Sequence, residues 1–427
     1  MNRRRFVYRG GALVALSSGC AGMLSRHGER PELPLGHQLG HLHNGAGILW
    51  AKTDRPGRLV LEQSGNRTAV DVTAETDFTG KLPLNGDYRF WFEGAAGAKS
   101  QSVSGTWQPP GAGAVRIVWG GDVCGQGYGI GHGGYRTFES MLACKPDVFI
   151  HSGDSIYADH PLEAETLSGD GTVWKNDLRL GKEKVAETLR EFRDNFAYNL
   201  KDTHYQRFVS SVPMIPQWDD HETRNNWWPG QIIEDDRYEE RRANVLADRA
   251  LRAFEEYMPT RGRMYRVHRV SEAVEVFMLD LRTHRSPNRG AEGYSKLLGS
   301  EQVYWLVNAL KSSTATWKVV ASSMPLGVVI PDGETRFEGV ANGDPGQPLG
   351  RELEIAALLQ QIRDVKNVVW VSADVHYAAA HHYHPDRARF REFSPFWEFV
   401  AGPLHAGTYG PSPLGEHAVW PKGVVQG

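Results

Sequence analysis

Cysteines, excess charge and long apolar runs are all scarce in this sequence of 427 residues. Only three cysteines are present, at positions 20, 124 and 144, which excludes a scaffold stabilised by disulfides. The 48 Lys and Arg residues nearly balance the 51 Asp and Glu residues, so the basic excess typical of nucleic-acid-binding proteins is missing. No stretch reaches the roughly 18 apolar residues that cross a bilayer, and we expect no membrane-spanning helix. The 40% hydrophobic content is typical of a globular protein.

The first 30 residues have the composition of an export signal. Residues 3–7 (Arg-Arg-Arg-Phe-Val) resemble the twin-arginine signal and precede a short apolar run. The alternative is a merely basic start to a cytoplasmic protein. Residues 16–20 resemble a lipoprotein cleavage sequence whose aliphatic residue is displaced by one position, so a lipidated and an unlipidated Cys20 both stay open. We expect export to the periplasm or the cell surface.

Two regions of different sequence pattern follow the signal. Residues 36–108 alternate short apolar runs with Gly, Asn, Asp and Pro, which predicts a small N-terminal antiparallel β-sandwich domain. A Pro- and Gly-rich segment then marks a boundary. In residues 114–427, apolar runs alternate with stretches of helical periodicity, which predicts an α/β domain with a buried sheet. Strands are predicted over residues 115–119, 148–150, 214–218, 276–279, 318–321 and 368–371, and helices over residues 184–198, 239–257, 300–312 and 352–365.

Four of the predicted strands end in clusters of polar residues. The clusters contain Asp122 and Cys124; Asp154 and Tyr157; Asp219, Asp220, His221 and Glu222; and Asp374 and His376. Ligands bind beyond the carboxyl ends of strands in open α/β sheets, so we expect the clusters to converge. Crowded buried carboxylates repel one another unless a cation lies among them. The pattern predicts a dinuclear metal centre, although each cluster alone is also typical of a turn or a solvated cap.

The order of these clusters resembles that of the calcineurin-type metallophosphoesterases, and more closely that of the alkaline phosphatase D (PhoD-like) family. The likeness rests on residues 153–157, 219–226, 277–282, 298–306, 372–376 and 398–403. It implies a two-sheet αββα sandwich behind the small N-terminal domain. It also implies an exported metal-dependent hydrolase that releases phosphate from mono- or diesters, acting as an alkaline phosphatase or a phosphodiesterase.

The resemblance further implies which side chains bind two metal ions. Those implied for the first ion are Asp122, Asp154, Tyr157 and His376, with Cys124 as a further candidate. Those implied for the second are Asp154, which would bridge both ions, Asp220, Asp374, and Asn225 or Asn226. A phenolate and a thiolate favour Fe³⁺, whereas carboxylates and an amide favour Ca²⁺, with zinc or manganese as alternatives.

The site also predicts a mechanism, in which a metal-bound hydroxide attacks the phosphorus in line and both ions clamp the phosphoryl oxygens. His221 would protonate the leaving group or stabilise the transition state, with a polar-core histidine as the alternative. Asp154 and Arg282 complete the predicted catalytic set. Arg282 and Arg285 either bind phosphate or form structural ion pairs. The histidines of one further cluster, interpreted as a loop rim rather than a metal site, are His381, His382 and His384.

Two other functions stay open at this stage. One is a phospholipase D-like diesterase, which an apolar rim near residues 227–228 and 396–397 would favour. The other is an exported metal-binding surface protein whose metal ions are structural. In the leading interpretation the partner is a phosphate-ester substrate, nucleic acid is not bound and the chain is a monomer. Cys144 is predicted to be a small core residue that is not bonded to Cys124.

Overall fold

The structure is a computed structural model that describes residues 30–41, 46–111, 113–178, 181–288, 293–334, 336–342, 347–411 and 424–425. The predicted export signal and Cys20 lie outside the described residues. None of the helices within these ranges combines the length and the apolar character that crossing a membrane requires.

The described residues form strands throughout the chain, joined by helices after residue 114. The strands are β1 (His37–His41), β2 (Gly47–Lys52), β3 (Gly57–Gln63), β4 (Asn66–Val72), β5 (Thr79–Leu84), β6 (Gly86–Glu93), β7 (Val103–Trp107), β8 (Ile117–Gly120), β9 (Val148–Ser152), β10 (Glu165–Leu167), β11 (Val173–Lys175), β12 (Met214–Gln217), β13 (Arg266–Arg269), β14 (Val274–Met278), β15 (Trp317–Ala321), β16 (Val368–Ser372), β17 (Ala379–Tyr383), β18 (Phe396–Val400) and β19 (Val424–Val425). The α-helices are α1 (Arg136–Ala143), α2 (Leu189–Asn199), α3 (Thr203–Val209), α4 (Ala243–Tyr257), α5 (Ser300–Ser312) and α6 (Arg351–Gln361).

Two mixed sheets share an apolar core. The first has the strand order β5-β2-β1-β12-β9-β8, and the second has the order β13-β14-β15-β16-β18-β17-β19. Val148 and Ile215 of the first sheet belong to the same buried cluster as Val276 and Val371 of the second. A separate core joins the first sheet to α1–α4, and another joins the second sheet to α5 and α6. The strands β8, β9 and β12 run parallel, as do β14, β15, β16 and β18, so within each sheet their carboxyl ends lie at one edge.

The N-terminal strands form a small sandwich with its own core. Strands β3, β4, β6 and β7 make a four-stranded antiparallel sheet. Its residues Leu59, Phe90 and Phe92 are buried together with Leu49 and Leu82 of β2 and β5. Apolar residues at every second position of a strand lie on one face, so the predicted period of two explains why this face is buried.

One layer of this sandwich continues into the first mixed sheet. Strand β1 pairs in parallel with β12 through Gly40 and Met214, so β1, β2 and β5 extend that sheet. A Cβ atom at Gly40 would lie 1.9 Å from the carbonyl oxygen of Pro259, and only glycine permits so close an approach. The structure therefore differs from the separate domain predicted over residues 36–108, because the sheet runs across the predicted boundary.

The helices differ from prediction mainly at their starts. The helix predicted from residue 184 begins at Leu189, because Thr188 and Glu191 form a capping box at 188–191. The Thr188 side chain accepts from Glu191 N–H, and the Glu191 carboxylate accepts from Thr188 N–H at 2.8 Å. Helices α1 and α3 were not predicted, because they have eight and seven residues and too few turns for a clear apolar period.

Candidate metal centre

The loops that follow β8, β9 and β16 place several residues in the left-handed backbone region. The φ angle is 66° at Asp122, 73° at Cys124, 50° at Asp154, 71° at Asp374 and 59° at His376. Non-glycine residues rarely adopt this conformation, which costs about 1–3 kcal/mol each and is concentrated at functional sites. These sharp turns bring polar side chains from separate strands together at the carboxyl edges of the sheets.

A first group of three side chains meets beyond β8 and β9. Tyr157 Oη lies 3.2 Å from Asp122 Oδ1 and 2.8 Å from His376 Nε2. His376 Nε2 is 3.0 Å from Asp122 Oδ1, so this nitrogen, Asp122 Oδ1 and Tyr157 Oη lie at the corners of a triangle. Burial and the charge of Asp122 raise the pKa of the Tyr157 phenol well above its usual value. Three of the side chains predicted for the first metal ion are therefore in mutual contact.

The segment after β18 fixes this first group from outside. His405 N–H donates to Asp122 O at 2.9 Å, and Cys124 N–H donates to His405 O at 2.7 Å. The carbonyl oxygen of Gly407 accepts from His376 Nδ1, which directs Nε2 towards the group. No motif marks residues 405–407 in the sequence, since their contribution is made through the backbone.

A second group consists of four aspartates. Oxygen atoms of Asp154, Asp219, Asp220 and Asp374 all lie within 4.8 Å of one another. Burial and the neighbouring Asp220 and Asp219 raise the pKa of Asp154 well above its usual value. Burial and the charges of nearby carboxylates, first that of Glu338, raise the pKa of Asp374 in the same way. Burial and the neighbouring carboxylates thus oppose the charged forms of Asp154 and Asp374, whereas His221 and Arg282 outweigh burial at Asp220 and lower its pKa.

Both groups fit metal ions. The buried Oδ2 atoms of Asp122 and Asp219 have no hydrogen-bond partner among the described residues, and a bound cation would satisfy them. The first group offers a carboxylate, a phenol oxygen and an imidazole nitrogen, whereas the second offers carboxylates only. Asp154 belongs to the second group, and its backbone oxygen accepts from Val123 N–H, next to Asp122, at 2.9 Å. The structure thus supports the binding of metal ions here.

Arg282 is fully buried among the carboxylates of the second group. Its Nε donates to Asp219 Oδ1 at 2.6 Å, and its Nη1 donates to Glu338. Its Nη2 lies 3.6 Å from Asp220 Oδ1 and 3.8 Å from Asp374 Oδ1. These contacts are those of a structural ion-pair network, one of the two roles that the sequence left open. The catalytic role of Arg282 stays a prediction.

Glu338 belongs to the same network, and no sequence motif marks it. Besides Arg282, its carboxylate lies 3.5 Å from Arg285 Nη1. Its backbone oxygen accepts from Arg285 and from Arg351. Arg285 also donates to Asn288 Oδ1 at 2.7 Å. Burial and the charge of Arg351 lower the pKa of Arg285 well below its usual value. All these contacts are made within the protein. For Arg285, as for Arg282, they are those of a structural ion pair, one of the two roles that the sequence left open.

His221 lies next to both groups and is held by a partner that the sequence analysis did not assign. Its Nδ1 donates to Asp159 Oδ1 at 2.7 Å, and its ring stacks on Tyr157 with the ring centres 4.1 Å apart. A ring nitrogen of His221 lies within 4.8 Å of Asp154 and Asp220 oxygens. Burial lowers the pKa of His221, but the carboxylates of Asp159 and Asp220 outweigh it and raise the pKa to about 9.

Glu222 joins the loops after β9 and β12. Its carboxylate accepts from Ser155 N–H at 2.7 Å, from Ser155 Oγ at 2.6 Å and from Asp219 N–H at 2.7 Å. It also accepts from Asp154 N–H at 3.3 Å. Glu222 therefore holds in register two loops that supply both groups, without itself facing a metal position.

The side chains of three predicted ligands lie outside the two groups. Cys124 is buried and belongs to no group of three or more donors within 4.8 Å among the described residues, and its thiol pairs with Tyr135. Asn225 is exposed and approaches only through its N–H. The N–H of Asn226 donates to Asp220 Oδ2 at 2.6 Å, whereas its side-chain amide donates to Asp332. Their roles as ligands stay predictions.

The remaining cysteine and histidine predictions have different outcomes. Cys124 and Cys144 are not bonded to each other, as predicted. Cys144 is exposed at the end of α1, so the prediction of a core residue is wrong, because that short helix ends at the surface. The histidines that lie on or beside β17, outside both groups, are His381, His382 and His384.

Two sheets with a shared core and a cluster of carboxylate, imidazole and phenol groups beyond their strands define an α/β protein with a candidate metal centre. A family model described as PhoD-like phosphatase matches residues 117–424. The chain belongs to the PhoD-like phosphatase family, which confirms the family predicted from the motifs.

Known relatives agree with this assignment. Alkaline phosphatase D of Bacillus subtilis (strain 168) is 28% identical over 283 residues, which covers 60% of this chain and 45% of that protein. The chain thus spans less than half the length of that curated relative. A solved structure of PhoD is similar with a TM-score of 0.67 and 20% identity, covering 87% of this chain and 77% of the other. Purple acid phosphatase PPD1 from yellow lupin (Lupinus luteus) seeds has a TM-score of 0.53 and 13% identity, covering 90% and 66%. The two structures show a shared fold.

Proposed function

We propose that the protein is an exported, metal-dependent phosphoric ester hydrolase that releases phosphate from mono- or diesters. The observation that carries the proposal is the presence of the triangle Asp122–Tyr157–His376 and the four-aspartate group on loops joined by the hydrogen bond from Val123 N–H to Asp154 O at 2.9 Å. Its partner would be a phosphate-ester substrate alone, bound by a monomer. The family of the chain supports the same chemistry.

We propose Fe³⁺ at the first group and Ca²⁺ at the second. A phenol oxygen with an imidazole suits a trivalent transition ion, whereas a set of carboxylates suits a hard divalent ion. Such ions would lower the pKa of bound water and neutralise charge on the phosphoryl oxygens. The carboxylates themselves orient the ions, and Arg282 offsets part of their negative charge.

His221 is the proposed proton donor to the leaving group. Asp159 accepts the Nδ1 proton, which leaves Nε2 as the nitrogen that would donate to the leaving group, and a ring nitrogen of His221 lies within 4.8 Å of Asp154 and Asp220 oxygens. The Asp159 carboxylate raises the pKa of the imidazole against the effect of burial, which favours the protonated form that an acid requires. Asp159 acts through His221 and is a positioning residue.

Replacing Asp159 by Asn should slow the hydrolysis of alkyl phosphate esters by about 10²–10⁴-fold, the usual contribution of general acid catalysis. A 4-nitrophenyl ester should lose far less, because nitrophenolate leaves without a proton. The two rates are measured on the same metal-loaded preparation, and the metal content serves as the control. An equal loss for both esters would contradict the role of His221 as the acid.

The proposed function is tested with 4-nitrophenyl phosphate and bis(4-nitrophenyl) phosphate, before and after chelation. We expect hydrolysis of one or both esters, its loss with the metal, and its return when iron and calcium are restored. Elemental analysis of the purified protein should show iron with calcium. Stoichiometric zinc would contradict the ion assignment, and full activity after complete metal removal would contradict the proposed function itself.

The phospholipase D-like alternative has no supporting feature at the site. Trp227 is buried against Trp218, with ring centres 5.8 Å apart. Phe396 is buried, and Trp397 lies near the start of β18, away from the carboxyl ends of the strands. Trp228 is half-buried against Arg336, and this single partly exposed ring does not form the apolar rim that would have favoured the alternative.

A further inference from the structure

The half-exposed Arg336 is linked to the four-aspartate group through Asp332 and Asn226. The chain forms a tight turn in which Asp332 N–H donates to Arg336 O at 2.9 Å. The Arg336 side chain is 48% exposed, and its Nε donates to Asp332 O at 3.1 Å. Neither Nη1 nor Nη2 has a hydrogen-bond partner among the described residues. The terminal amino groups are thus open to an incoming ligand.

This turn is attached to the metal centre from two sides. Asp332 accepts from the side-chain amides of Asn226 and Asn288, each at 3.2 Å. Asn226 in turn donates its N–H to Asp220 Oδ2 at 2.6 Å. At the other end of the turn, Glu338 pairs with Arg282. Three contacts therefore link the guanidinium to Asp220, a proposed metal ligand. They are the Asp332–Arg336 ion pair of 3.4 Å and the two hydrogen bonds that Asn226 donates.

The guanidinium is also held against an aromatic ring. Its carbon atom lies 5.6 Å from the centre of the half-buried Trp228 ring, a cation–π contact that limits its movement. By contrast, the nearby Arg282, Arg285 and Arg351 are buried and donate to carboxylates and carbonyl oxygens. Arg336 therefore differs from them in being half exposed while its guanidinium is held in place by Asp332 and Trp228.

We propose that Arg336 is a specificity-determining residue that favours phosphate diesters whose non-leaving substituent carries a second anionic group. A phosphoryl group at the metal centre would extend its substituent over Asn226 towards the guanidinium. A planar guanidinium binds carboxylates and phosphates with two parallel hydrogen bonds. The inference rests on the proposed function, since it concerns the substrate of that same site.

Three diesters with the same 4-nitrophenolate leaving group test this inference. Their second substituents are 2-carboxyethyl, ethyl and 2-(trimethylammonio)ethyl, which differ in charge. In the unmodified protein KM should be lowest for the carboxyethyl ester and highest for the trimethylammonioethyl ester. In Arg336→Gln the ratio between these two KM values should fall about fivefold, and added salt should reduce the ratio in the unmodified protein. Arg336→Lys should retain part of the difference between the two KM values.

The matched control is Arg363→Gln, which removes one exposed charge beyond the opposite ends of the strands. An unchanged KM ratio in Arg336→Gln, with hydrolysis intact, would overturn the inference and leave the proposed function standing. If none of the diesters is hydrolysed, calorimetric titration of the same three compounds into the metal-loaded protein gives the affinity ratio. A charge preference that Arg336→Gln abolishes would then support the inference although the proposed function had failed, and equal affinities would overturn both.

Discussion

Replacing Asp154 by Asn is expected to remove nearly all hydrolytic activity together with the bound metal. Burial and the charges of Asp220 in the second group and Asp122 in the first raise the pKa of Asp154. Its Oδ1 also accepts from His221 N–H at 3.1 Å. Asn is nearly the same size but carries no charge, so it binds a cation far less well. Metal ions supply several kcal/mol of transition-state stabilisation, and about 4 kcal/mol corresponds to a rate loss of about a thousandfold.

The measurement pairs elemental analysis with the hydrolysis of 4-nitrophenyl phosphate and its diester. Asp364→Asn is the control, since its side chain is 96% exposed and far from the site in the fold. We expect the control to keep both metal and activity. Asp154→Asn with an unchanged rate would exclude a bridging carboxylate at this position. Loss of activity with full metal content would instead assign Asp154 a role other than metal binding.

The residues of the two groups could be predicted because each follows a recognisable apolar run. Asp122, Asp154 and Asp374 come shortly after β8, β9 and β16, whose Val- and Ile-rich sequences identify buried strands. Since parallel strands end at one edge, residues far apart in the sequence were expected to meet. The contacts of Tyr157 and His376 with Asp122 agree with that expectation.

The residues that support these groups could not be predicted in the same way. Glu338 acts through its contacts with Arg282 and Arg285, and Asp159 through its contacts with His221 and Asn225, and none of these contacts has a period or a motif in the sequence. Gly407 contributes a backbone carbonyl, which any residue would offer. The sheet shared with β1 likewise depends on one close approach at Gly40. Such contacts are decided by the packing of distant segments, on which local sequence carries no information.

Replacing Arg282 by Met should lower the free energy of unfolding by about 3–5 kcal/mol, the usual cost of removing one partner from a buried ion pair. Met fills a similar volume but leaves Glu338 and Asp219 without the guanidinium that now donates to both. The Ser323 hydroxyl would still donate to Asp219 Oδ1 at 2.7 Å, so the loss there would be partial. Denaturant unfolding of the metal-loaded protein measures the change.

Arg282→Lys and Arg263→Met give this experiment its comparisons. Lysine keeps the charge but not the planar fork, so it should recover part of the stability. Arg263 is 72% exposed beside Glu301, and its replacement should leave the free energy of unfolding nearly unchanged. The result separates the two roles that the sequence left open for Arg282. Normal stability with a raised KM for phosphate esters would favour phosphate binding, whereas lost stability, partly restored by lysine, would favour the ion-pair network that holds the aspartates.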